Sequence, residues 1–198
     1  MADPIVTTHA IPTPGHFDRS ATPAPGDLEL LRSFVSLHDH AAGTTDSTAP
    51  SAPTFVAWFR AVGVETSIGE DVLALASQSH EDLRTLVLEH MGSPRDDAAI
   101  DRLDELARMA GVAPSLARDD LAPAAEGALG MLGRILAIAF LARRDGTFDR
   151  LRTCSNQECL AIFYDRSKNR SGRWCDMRAC GTQAKVRAYR ARQRAAAT

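Results

Sequence analysis

The chain has 198 residues, 44% hydrophobic and 24% charged, which suffices for one sizeable core plus a small satellite module, so one or two domains are expected. The longest unbroken apolar stretch near its middle, Ile135 to Ala142, has eight residues, far short of the roughly twenty that a membrane helix needs. A net charge of -2 hides a division: residues 1–149 hold eleven Arg and no Lys against twenty-two acids, while residues 150–198 hold twelve basic residues against three acids. The C-terminal end is therefore expected to meet a nucleic acid or another polyanion.

Residues 1–26 carry Pro4, Pro12, Pro14, Pro23 and Pro25 among small and polar residues and read as a disordered leader without a secretory n-region or h-region. From Asp27, a candidate cap, apolar residues at three-to-four-residue spacing predict a helix to about Ala41. A Gly, Thr, Ser and Pro-rich loop follows to Pro53. Thr54 then caps a helix that shows Phe55, Trp58, Phe59 and Val62 on one face and stops at Gly63. A longer pattern runs from Ile68 to His90 and closes near Gly92-Ser93-Pro94; its polar centre, Ser77 to His80, is either a surface turn of one helix or a break between two.

Asp96 and Asp97 open the next helix, with Ile100, Leu103, Leu106, Ala107 and Met109 inward and Gly111 at its end. Val112 to Arg118 reads as an extended link. Ala122 to Arg144 is the most apolar helix, carrying Leu129, Leu132, Ile135, Leu136, Ala139, Phe140 and Arg143 at helical spacing. Its glycines Gly127, Gly130 and Gly133 either admit a close neighbour or floor a small-molecule pocket. The expected fold is mainly α, formally α+β: a helical domain over 27–149, then a small zinc module over 150–198.

All four cysteines lie in that last segment, as Cys154-x4-Cys159 and Cys175-x4-Cys180. Four thiolates satisfy a tetrahedral Zn2+ completely and leave no open position for catalytic water, so one structural Zn2+ is expected. A disulfide or an unligated pair is the alternative; a reduced cytoplasmic thiol pool, the expected compartment, argues against it. Leu160–Tyr164 and Arg173-Trp174 read as two strands joined by a polar turn, Asp165 to Gly172. The second pair opens a helix reaching about Arg194, giving the turn, hairpin and helix order of a treble-clef module. Few apolar residues are present there, so metal must supply much of its folding energy.

That last helix carries Lys185, Arg187, Tyr189, Arg190, Arg192 and Arg194, and the polar turn carries Arg166, Lys168, Arg170 and Arg173. Together they form a candidate phosphate-binding surface for DNA. The alternative is a solvated basic helix that grips acidic protein.

Cys154-x4-Cys159, Phe163-x-Asp165-x-Ser167-x-Asn169 and Arg173-Trp174-Cys175-x-Met177-x2-Cys180-Gly181-x2-Ala184-Lys185 resemble the CGNR zinc finger. The helical region before them resembles the ABATE-type, stress-induced regulator domain with which that finger is paired. The resemblance implies a bacterial transcription regulator with four cysteine zinc ligands, a DNA-binding finger and an upstream sensory or dimerisation domain that takes a small-molecule ligand or forms a homodimer contact. The chain departs from the name motif, reading Cys180-Gly181-Thr182-Gln183, and from the Asn-Thr pair of the first upstream helix, reading Ser36-Leu-His-Asp-His40.

A zinc-stabilised adaptor for protein or RNA is the competing function. An enzyme is not expected, because His9, His16, His38, His40, His80 and His90 all precede the cysteine module and leave no general base beside the metal.

Overall fold

In the computed structural model, residues 22–40 and 47–196 are described; the leader expected over 1–26 lies outside the described residues as far as residue 21. Helix α1 (Leu28–Val35) is shorter than expected. Every residue from Leu31 to His38 is buried. The chain turns off at Ser36, whose N–H still reaches Arg32 C=O at 3.0 Å, and forms a two-residue antiparallel pair, β1 (Asp39–His40) with β2 (Ser47–Thr48).

Asp27 does not cap α1 with its side chain; its carboxylate accepts from Arg134 at 2.5 Å. Thr54 does not cap the second helix either, because α2 (Ala52–Ala61) starts two residues earlier with Pro53 in its first turn. Asp39 serves that end instead, accepting from Ser51 N–H at 2.8 Å and from the Thr54 hydroxyl.

Helix α3 (Glu70–His90) is continuous, so Ser77 to His80 is a turn of one helix and not a break, with Ser77 and Gln78 exposed on its surface. Ser79 and His80 are buried. His80 Nε2 lies 3.1 Å from Leu37 C=O, and its ring stands edge-on to Phe34 and Phe55 at 5.8 Å. Helix α4 (Asp97–Met109) opens at Asp96 and Asp97 as expected, with Asp96 as its cap, accepting from Ala99 N–H at 3.0 Å, but Met109 points outward and is half exposed.

The link after α4 is a hairpin, β3 (Ala113–Ser115) with β4 (Asp120–Ala122). It reverses near Asp119, which adopts φ +51°. Helix α5 (Gly127–Asp145) therefore begins five residues later than expected, and left-handed Gly146 ends it. A methyl group at Gly133 would press on Ala110 and Pro123 carbons, at 2.7 and 2.9 Å. Gly133 thus admits a close neighbour. A cavity of about 330 Å3 opens farther along α5, between Leu136 and Phe140, α3 and α4, and none of the three glycines lines it.

The core joins Leu31, Phe34, Phe55, Trp58, Phe59, Leu83, Leu132 and Ile135 to Leu151, Ile162 and Tyr164 from the cysteine segment. Trp58 can enter it because its indole N–H donates to Ser33 Oγ at 3.1 Å. Among the described residues no helix is long and apolar enough to cross a membrane.

Candidate metal centre and basic surface

After one turn of 3-10 helix at Phe148–Arg150, β5 (Leu151–Thr153) pairs antiparallel with β6 (Ile162–Tyr164). This corrects the expected hairpin: Arg173-Trp174 forms no strand; Arg173 C=O accepts from Ser155 N–H at 2.8 Å and Trp174 packs against the cysteine cluster. The Cys154–Cys159 knuckle therefore sits at the turn of the hairpin. Strand alternation does the rest, since Ile162 and Tyr164 enter the helical core while Phe163 packs with the cysteines.

The loop from Asp165 to Gly172 closes on Asp165, whose carboxylate accepts from Ser167 N–H at 2.9 Å and Gly172 N–H at 2.7 Å. Burial alone would raise that carboxyl; these hydrogen bonds hold it below the ordinary aspartate range. Gly172 has no space for a side chain, with Asp165 Oδ1 2.8 Å from where its Cβ would stand.

The second cysteine pair opens a helix, as the sequence suggests, but the first turn is wide, of the π type, and the α-helical path begins only after it. It lies in and before a wide turn, Met177–Gly181, closed by Gly181 N–H on Asp176 C=O at 3.0 Å. Asp176 caps this turn by accepting from Arg178 N–H at 2.5 Å and Ala179 N–H at 3.0 Å. Helix α6 (Thr182–Ala196) follows directly.

The four cysteine sulfurs, all buried, lie within 4.8 Å of one another. Cys175 Sγ is 3.7 Å from both Cys159 Sγ and Cys180 Sγ. A tetrahedron with Zn–S near 2.3 Å has edges of about 3.8 Å, so the sulfurs already stand where one zinc ion would hold them. A disulfide is ruled out at such separations, since bonded sulfurs lie about 2 Å apart. Hydrogen bonds from the Cys159 and Cys175 thiols hold Cys154 down to about 2. Bonding to Cys154 pushes Cys159 up to about 12 and moves Cys175 upward as well. Only a cation at the centre lets all of them ionise together.

Asn156, buried inside the knuckle, carries no signal in the sequence. Its amide donates to Cys180 Sγ at 3.7 Å and Gln183 Oε1 at 3.3 Å, and its carbonyl accepts from Arg187 at 2.5 Å. Gln183, which departs from the name motif, is thus bound into the surroundings of the metal. Residues 150–193 match the CGNR zinc finger family. No curated protein matches the chain. The CGNR match covers both cysteine pairs and most of α6, and the protein contains a small four-cysteine zinc module with one structural Zn2+.

The candidate basic residues of the loop and of α6 are all exposed, and several are also held by neighbours. Arg187 is tied to Glu158 at 2.7 Å, Arg170 to Asp149 at 3.7 Å, and Arg166 donates to Pro23 C=O at 2.9 Å. Arg173 stacks 5.2 Å from the Trp174 ring. Lys168, Lys185, Arg190, Arg192 and Arg194 are exposed. Tyr189 is 57% exposed among the basic residues of α6 and accepts from Gln193.

Proposed function

We propose that the protein is a DNA-binding transcription regulator whose zinc module presents α6 to the duplex. The supporting observation is the surface of that helix: from Lys185 to Arg194 every residue is exposed, and no acid occurs after Asp176. Phosphate contacts from Lys185, Arg190 and Arg192 would provide sequence-independent affinity. The exposed Tyr189 adds a flat side chain beside them.

The helical half is read as the ABATE-like sensory or dimerisation part of a bacterial, cytoplasmic and non-enzymatic regulator. Its cavity of about 330 Å3, with Arg95, Asp104 and Arg143 among its lining residues, falls in the size range of small-molecule sites. The half-exposed Phe140 beside it would serve a homodimer contact equally well.

The test is binding of the zinc-loaded chain to duplex DNA over a series of salt concentrations. Replacing Lys185, Arg190 and Arg192 together by Ala is expected to flatten the slope of log K against log salt by about three. Unchanged binding by the triple variant would remove the assignment of α6. Binding to RNA or protein but to no duplex at low salt would favour the adaptor.

A further inference from the structure

The four ligands do not account for the whole metal centre. Arg84 lies in the middle of α3, and its Nη1 donates to Leu160 C=O at 2.9 Å and to Val35 C=O at 2.6 Å. Leu160 directly follows the ligand Cys159, and Val35 is the last residue of α1. Four thiolates around Zn2+ carry a net charge of about -2, which the surrounding protein must stabilise. We infer that Arg84 is an outer component of the zinc centre, a cation supplied by the helical half against the negative charge of the thiolate cluster.

Three further observations support this assignment. Burial pushes the Arg84 guanidinium down, while Glu81 and the Cys159 sulfur, the negative groups acting on it, push it back up. Glu81, the larger of the two influences, is itself engaged, 3.4 Å from His80 Nδ1, and its side chain is more than half exposed, whereas Cys159 is buried. Next to this contact, Arg32 donates to Ile162 C=O and Ser36 Oγ accepts from Ile162 N–H, both at 3.1 Å. The first strand residue after the knuckle is therefore fixed to α1 on both of its backbone groups.

A second arginine reaches the cluster through another residue. Arg187 of α6 holds Asn156, and Asn156 donates to Cys180 Sγ. One arginine from the core and one from the basic helix are thus each one residue removed from a ligand cysteine. Zinc occupancy is consequently coupled in both directions: metal strengthens the contact between α3 and the knuckle, and the folded core raises affinity for metal.

Competition of the full-length, zinc-loaded protein with a chromophoric chelator tests the assignment. Arg84→Met is expected to release zinc to the chelator with affinity weakened about tenfold, Arg84→Lys to recover part of that loss, and Arg60→Met on the exposed side of α2 to match the parent. A variant with zinc affinity equal to the parent, and with melting lowered by the same amount loaded or stripped, would show Arg84 to be only a tie for α1. A second readout needs no Arg84 variant. In Trp174→Phe protein, where Trp58 alone fluoresces, stripping zinc should lower the melting temperature seen from the helical core; an unmoved transition would overturn the coupling.

Discussion

The two sides of the zinc module are built in opposite ways. On the β6 side, Ile162 and Leu151 are fully buried in the helical core, and backbone groups from Leu160 to Ile162 are held by Arg84, Arg32 and Ser36. On the α6 side, Val186 is 42% exposed and Tyr189 57%, and the ties that Gln183 and Arg187 make to the knuckle are polar. A module of this size cannot build its own core. Here one face borrows the core of the helical half, the metal supplies the centre, and the other face stays open to carry charge. This difference separates the stability of the module from its function.

Ile162→Ala should break the borrowed face with the largest effect, about 2–5 kcal/mol. For a chain of this length that corresponds to a fall in Tm of roughly 4–20 °C, read by thermal unfolding of the zinc-loaded protein. Asp165→Asn, in the loop between the faces, should cost about 1 kcal/mol and change the pH dependence. The Asp165 carboxyl titrates lower in the fold than its ordinary 3.8, so its stabilisation is complete above that value and is lost as pH falls through the folded value. Denaturant titrations carried below pH 3.8 should show a shallower decline for Asp165→Asn than for the parent. Val186→Ala, on the open face, should stay within about 0.5 kcal/mol in the same unfolding experiment. A loss as large as that of Ile162→Ala would abolish the distinction.

The metal ligands are legible in the sequence because four cysteines in two equal spacings have one economical use, and the start of α4 is legible because the signal of Asp96-Asp97 is local. The partner of β6 is not: Leu151-Arg152-Thr153 is too short for its alternation to stand out, and the nearer Arg173-Trp174 competes for the role. Arg84 leaves no pattern at all, since its partners are backbone carbonyls, one of them 76 residues away. His80 misleads for a related reason. A polar residue at the centre of a helix reads as exposed unless the carbonyl and rings that receive it are known. The change in charge sign near residue 150 marks where the CGNR match begins, yet the hydrophobic core runs across that border.

A zinc centre that positions a basic helix makes DNA binding depend on the metal, which is checked by duplex binding of the same preparation before and after zinc removal. Loaded protein should bind DNA with a steep loss of affinity as salt rises, and stripped protein should lose most of that binding, with zinc restoring it. Equal binding by both forms, or none by the loaded form at low salt, would contradict it.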